Sequence, residues 1–196
     1  MKALAVILVW CSALAMAQMT ANQKTESRNT VYGQEFGKPL TISECPVTKH
    51  GKSAWYTDIS SAKELCFQVE GETTLVPLNG KPLINARVRL LAPNGQLLGG
   101  VTEATVVNGN LDRLTFTTAG TIDQEQILSI LTKKYGEPTG KKVKHVENGY
   151  GASADGVFAT WELPSVKVIF MGALTLSEGK VVIETPRSEK QLEPKL

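Results

Sequence analysis

Four Asn-Gly pairs, at positions 79/80, 94/95, 108/109 and 148/149, punctuate a chain whose intervening segments are rich in valine, leucine and threonine. Asn and Gly tolerate the positive φ that a two-residue turn demands, so β-prone runs cut by such pairs fold as antiparallel hairpins. The flanking runs carry the matching period. In "ARVRLLA", Ala86, Val88 and Leu90 alternate with Arg87 and Arg89. "VTEATVV" and "LDRLTFTT" flank Asn108-Gly109, "FATWEL" and "VKVIFMG" flank Pro164-Ser165, and "KVVIET" follows Gly179. Most of the domain is therefore expected to be antiparallel sheet.

One segment breaks that period. In "GTIDQEQILSILTKKYGEP", Ile127, Leu131 and Tyr135 recur at helical spacing and Leu128 joins their stripe. Thr121 and Gln124 have the spacing of a capping box, and Asp123 and Glu125 sit near the positive helix start. Lys133 and Lys134 fall in the last turn, Gly136 offers a left-handed stop, and Pro138 ends the run. The spacing predicts a helix over 122–135, and the fold class is α+β: mainly antiparallel sheet with one helix packed on one face.

"YGEPTGKK" superficially resembles a phosphate loop. It fails that test, because three residues separate Gly136 from Gly140, no Ser or Thr follows Lys141, and the segment leaves a helix instead of entering one. "FGKPL" at 36–40 repeats the aromatic-Gly-x-Pro form of "YGEPT", a five-residue echo too short to define a repeat.

The amino end, "MKALAVILVWCSALAMAQ", has one lysine, an apolar run from Ala3 to Ala15, and Ala15-Met16-Ala17 as an A-x-A cleavage site. This is the pattern of a signal peptide over 1–17, cut between Ala17 and Gln18. The apolar run is shorter than the ~20 residues of a spanning helix, so no membrane span is expected in the mature protein. Trp10 before Cys11 argues against lipidation there. Residues 18–30 have no apolar period and read as a disordered leader; 187–196 reads as a disordered tail; 31–186 is then a single domain. A domain of that size buries about 68 to 70% of its unfolded surface and does not depend on metal or dense disulfides for stability.

The full chain carries 21 basic and 19 acidic side chains. Loss of Lys2 with the signal peptide brings the balance close to neutral, which gives no electrostatic footprint for nucleic acid or for an anionic membrane. The densest basic run, "KKVKH" at 141–145, reads as a solvated strand edge, where lysines also discourage edge pairing.

Cleavage also removes Cys11, leaving Cys45 and Cys66. Two cysteines in an exported chain meet an oxidising environment, and a Cys45–Cys66 disulfide is the expected outcome. A redox pair favours Cys-x-x-Cys, and a zinc site needs two further ligands where only His50 and His145 are available. The staple would close "PVTKHGKSAWYTDISSAKE", a segment that reads as a loop apart from Trp55 and Tyr56.

The combination of "FGKPLTISECP", "LCFQ", "LTKKYGEPT" and "ATWELPSVKVIF", spread over most of 31–186, resembles a group of exported proteobacterial proteins. The resemblance implies a periplasmic or secreted location and this topology, and it implies no activity.

The catalytic inventory is thin. His50 and His145 are the candidate bases, with no G-x-S-x-G elbow, H-E-x-x-H pair or Ser-x-x-Lys motif beside either. Asp112 and Asp155 show no paired spacing. In "ENGYGASADG", residues 147–156, glycines flank Tyr150 and Asp155-Gly156 closes the loop. Tyr150 is a candidate partner-binding residue, against an expectation that it packs on its own domain. No catalytic, cofactor or metal residue is assigned. The reading is a non-catalytic binding or interaction domain of the bacterial envelope, with an envelope protein as the conceivable partner. The alternatives are an envelope hydrolase built from His145 and distant carboxylates, and a structural accessory protein.

Overall fold

The computed structural model describes residues 28–50, 53–56, 64–71, 74–91 and 102–186. In chain order the strands and helix are β1 (Thr30–Val31), β2 (Gln34–Glu35), β3 (Ser43–Glu44), β4 (Val47–His50), β5 (Ser53–Tyr56), β6 (Cys66–Val69), β7 (Ala86–Leu91), β8 (Thr102–Val107), β9 (Asn110–Thr118), α1 (Gln124–Tyr135), β10 (Gly140–Glu147), β11 (Ser153–Glu162), β12 (Lys167–Met171) and β13 (Gly179–Glu184). The signal peptide, the leader before residue 28, the tail from 187 and the Asn94-Gly95 pair lie outside the described residues.

Nine strands form one sheet in the order β10-β11-β12-β13-β9-β8-β7-β6-β3. Every pairing is antiparallel except β3 with β6. Antiparallel neighbours connect by short turns, and Asn108-Gly109 makes the tightest of them: φ is 51° and 78° at the two residues that join β8 to β9. Asn79 and Gly80 also take positive φ, but they turn the chain inside the connection between β6 and β7.

Four antiparallel steps separate β9 from β10, so the two strands run the same way. A hairpin cannot join strands of equal direction; the connection must cross the sheet, and α1 is that crossover. It lays Ile127, Leu131 and Tyr135 onto a face built by Leu114, Phe116, Ala159, Trp161, Val168, Phe170, Val181 and Ile183. The segment before β3 covers the rest of that face, with Val31, Phe36 and Ile42 in the same core and Tyr32 edge-on to Phe116 at 5.9 Å between ring centroids.

Helix α1 begins two residues later than the spacing predicts, after a 3₁₀ turn at Gly120–Ile122. The expected capping box does not form. Thr121 Oγ1 donates to the Leu176 carbonyl at 2.9 Å. Gln124 accepts the Val157 N–H at 3.0 Å and donates to the Asp155 carbonyl at 2.9 Å. The cause is tertiary: β11 outruns β12, whose pairing stops at Phe158↔Met171. Gln124 offers the exposed strand an amide in place of the missing neighbour, and Asp123 meanwhile accepts the Ala119 N–H at 3.0 Å.

Residues 28–30, expected in the leader, belong with the domain. Thr30 pairs with Glu35, and its carbonyl accepts a hydrogen bond from Lys134 Nζ. The segment expected to be a loop after Cys45 carries the β4–β5 hairpin, in register from Val47↔Tyr56 to His50↔Ser53. Its polar side chains hid it, because a hairpin off the main core needs no apolar period.

Candidate functional site

The face of the sheet opposite α1 is uncovered at its β10 end, and the register dictates what it displays. One row runs Lys142, Phe158, Met171, Lys180, Thr117 from β10 to β9. The next runs Gly140, Thr160, Ile169, Val182, Thr115, and a third runs Glu162, Lys167, Glu184, Arg113. The third row alternates in charge, and its innermost pair is a real ion pair, Arg113 Nη2 to Glu184 Oε2 at 2.6 Å. The first two rows place Phe158, Met171, Ile169 and Val182 side by side, an apolar patch on a face otherwise polar.

A shallow groove of 540 Å³ lies across β10, β11 and β12, lined by Lys142, Lys144, Phe158, Thr160, Ile169 and Met171 among others. That volume falls in the range of small-ligand sites. Lys144 Nζ stands 4.9 Å from the centroid of the Phe158 ring, within reach of a cation–π attraction. The residues directly across from the edge lysines are Ala159 for Lys141, Phe158 for Lys142 and Gly156 for Lys144. Among the described residues, no carboxylate pairs with these lysines. The groove therefore combines apolar floor with uncompensated positive charge on one side.

His145 and Asp155 face each other across β10 and β11, Nδ1 to Oδ1 at 3.1 Å. Their side chains are 62% and 70% exposed, and alternation sends them out of the face opposite the groove. Asp112 is buried and hydrogen-bonds Thr185, which gives it a structural use at the end of β9. His50 lies on β4. Tyr150 is 98% exposed, which corrects the expectation that it packs on the domain. Asn148 explains this: its Oδ1 accepts the N–H groups of both Tyr150 and Ala152 at 3.0 Å, so the loop closes on its own backbone. Asp155-Gly156 lies within β11 and does not close that loop.

Cys45 and Cys66 form a disulfide, with their Cα atoms 4.8 Å apart. It clamps the parallel β3–β6 pair at the far edge of the sheet, where Cys45 N–H also donates to the Phe67 carbonyl at 2.8 Å. Glu44 there accepts the Tyr56 hydroxyl at 2.8 Å and the Leu78 N–H at 2.7 Å. Burial pushes the Tyr56 phenol up, and the bond from the Val69 amide works against that while Glu44 adds to it. Burial likewise raises the Tyr135 phenol and lowers the Lys134 ammonium. All three groups lie outside the groove.

Among the described residues no cluster of three or more His, Cys, Asp or Glu side chains is arranged to hold a metal, and no helix is long and apolar enough to cross a membrane. The groove itself went unread in the sequence. Its signal is the run Val168, Ile169, Phe170, Met171: a strand with one solvated face alternates, whereas four consecutive apolar residues make both faces apolar. No family model, no characterised protein and no solved structure matches this chain.

Proposed function

We propose that this protein is an exported, non-catalytic binding domain of the bacterial envelope, periplasmic or secreted, and that its ligand reaches into the groove across β10, β11 and β12. One observation carries the reading: Phe158, Ile169 and Met171 share an open face with Lys142 and Lys144, which have no carboxylate partner among the described residues. Apolar surface left beside uncompensated charge suits a ligand that is apolar and anionic at once. The disulfide supports the export route, since such bonds persist in oxidising compartments.

The hydrolase reading has its best support in the His145–Asp155 pair. Both side chains stand largely in water and project away from the groove, so a substrate held in the groove would not meet them.

Titration with anilinonaphthalene sulfonate, an apolar anion whose fluorescence rises in such surroundings, tests the binding reading. Saturable binding is expected, weakened by Phe158→Ala with Met171→Ala in a protein whose circular dichroism is unchanged. Binding that is absent, or indifferent to the double substitution, would overturn the assignment of the groove.

A further inference from the structure

The two edges of the sheet are finished differently. At one end β3 is two residues long, and the Cys45–Cys66 disulfide and the Glu44 contacts hold it in place. At the other end β10 is eight residues long and, among the described residues, has no strand on its outer side. It contains no proline, and its side chains are exposed on both faces except for a half-buried Val146. A bare edge of that length, about 26 Å, is a template for another strand. Lys141, Lys142 and Lys144 make it repel a second copy of itself, and the same charges attract a strand that carries carboxylates.

Resting on the groove reading above, we propose that the ligand is an extended acidic peptide segment of a partner protein, which adds as a strand to the outer edge of β10. Main-chain hydrogen bonds to β10 provide the pairing, and alternate side chains provide the specificity. Carboxylates opposite Lys141, Lys142 and Lys144 would meet charges that have no carboxylate partner among the described residues. Gly140 stands at the groove mouth, and a Cβ built on it would meet nothing within 4 Å. An apolar side chain opposite Gly140 therefore passes over it toward Thr160 and Ile169, while the charged positions fall further along the strand.

Fluorescence anisotropy with a labelled decapeptide of threonine, glutamate and one leucine tests this. Controls are the same peptide with lysine for glutamate, the peptide N-methylated at every second residue, and vesicles of phosphatidylglycerol. The acidic peptide is expected to bind in a salt-dependent way and to slow amide exchange in β10. The triple variant Lys141→Glu, Lys142→Glu, Lys144→Glu should weaken it by about tenfold or more, and N-methylation by at least about tenfold through lost backbone bonds. Equal binding of the lysine peptide or of the N-methylated peptide would overturn the inference, as would binding to the vesicles alone. Anilinonaphthalene sulfonate in the groove with no acidic peptide bound would overturn strand addition and leave the groove standing; loss of both would overturn both.

Discussion

The indole N–H of Trp161 donates to the Gly136 carbonyl at 2.7 Å, fastening the end of α1 to the C-terminal end of β11. Gly136 makes that contact from φ 91° and ψ −167°, a backbone region that excludes side chains.

Gly136→Ala should therefore destabilise the fold by about 1–3 kcal/mol through backbone strain. The strain would be purely conformational, because the nearest atom to an added Cβ is Arg28 Nη2 at 3.8 Å. Trp161→Phe should cost about 1–3 kcal/mol by leaving a carbonyl unpaired beside a fully buried ring. Denaturant melts measure both, and an unchanged or raised midpoint in Gly136→Ala would contradict this cap geometry.

Replacing both Cys45 and Cys66 by alanine should lower stability by about 3 kcal/mol on the chain-entropy estimate for the loop they close. The loss should be uneven. Amide exchange should speed up first at Ser43, Glu44 and Cys66–Val69, the strands the bond joins, and uniform acceleration throughout the sheet would contradict a local clamp.

Alkaline stability should fall above about pH 10, the ordinary range of a phenol. Burial raises the Tyr135 and Tyr56 phenols above their ordinary value of 10.0 in the folded protein, so the unfolded chain loses these protons first and unfolding is favoured as pH rises. Lys134 acts in the opposite direction just below 10.5, because its lowered ammonium makes the folded state the first to deprotonate. Above about pH 10.5 the ammonium is lost in both states, so the two phenols alone set the slope there. Tyr135→Phe removes a buried hydroxyl that has no hydrogen-bond partner among the described residues, so it should flatten the alkaline decline and cost little at neutral pH. A pH series of denaturation midpoints with identical slopes for both proteins would contradict this.

His145→Ala and Tyr150→Ala should each change stability by less than about 0.5 kcal/mol, as exposed side chains do. For Tyr150 this reverses the packed-hairpin expectation. A loss above about 1 kcal/mol would mean that Tyr150 has a partner in the folded protein, or that the exposed His145–Asp155 contact is stronger than surface pairs of its kind.

Strands β7 to β9 were legible because a face packed on the core imposes alternation, written in Val88, Leu90, Leu114 and Phe116, whereas β11 to β13 showed as apolar runs between turns. Ile127, Leu131 and Tyr135 announced the buried stripe of α1 in the same way. The capping box misled because Thr121 and Gln124 found better partners on the sheet, and sequence spacing carries no knowledge of a neighbouring strand that runs short. The groove was hidden for a related reason. Which strands are neighbours decides whether Phe158, Ile169 and Met171 meet, and periodicity identifies elements without ordering them.

That ordering has one more consequence. β13, the last strand among the described residues, lies between β12 and β9, and within the sheet it alone joins the β10–β12 meander to the other strands. While a chain is being synthesised, β9 and β12 each have an inner edge with nothing to pair with until residue 184 has been added. Assembly of the full sheet thus waits for β13. Until then the sheet exists as two separate meanders, β6–β9 and β10–β12, and neither has the neighbour that completes its inner edge.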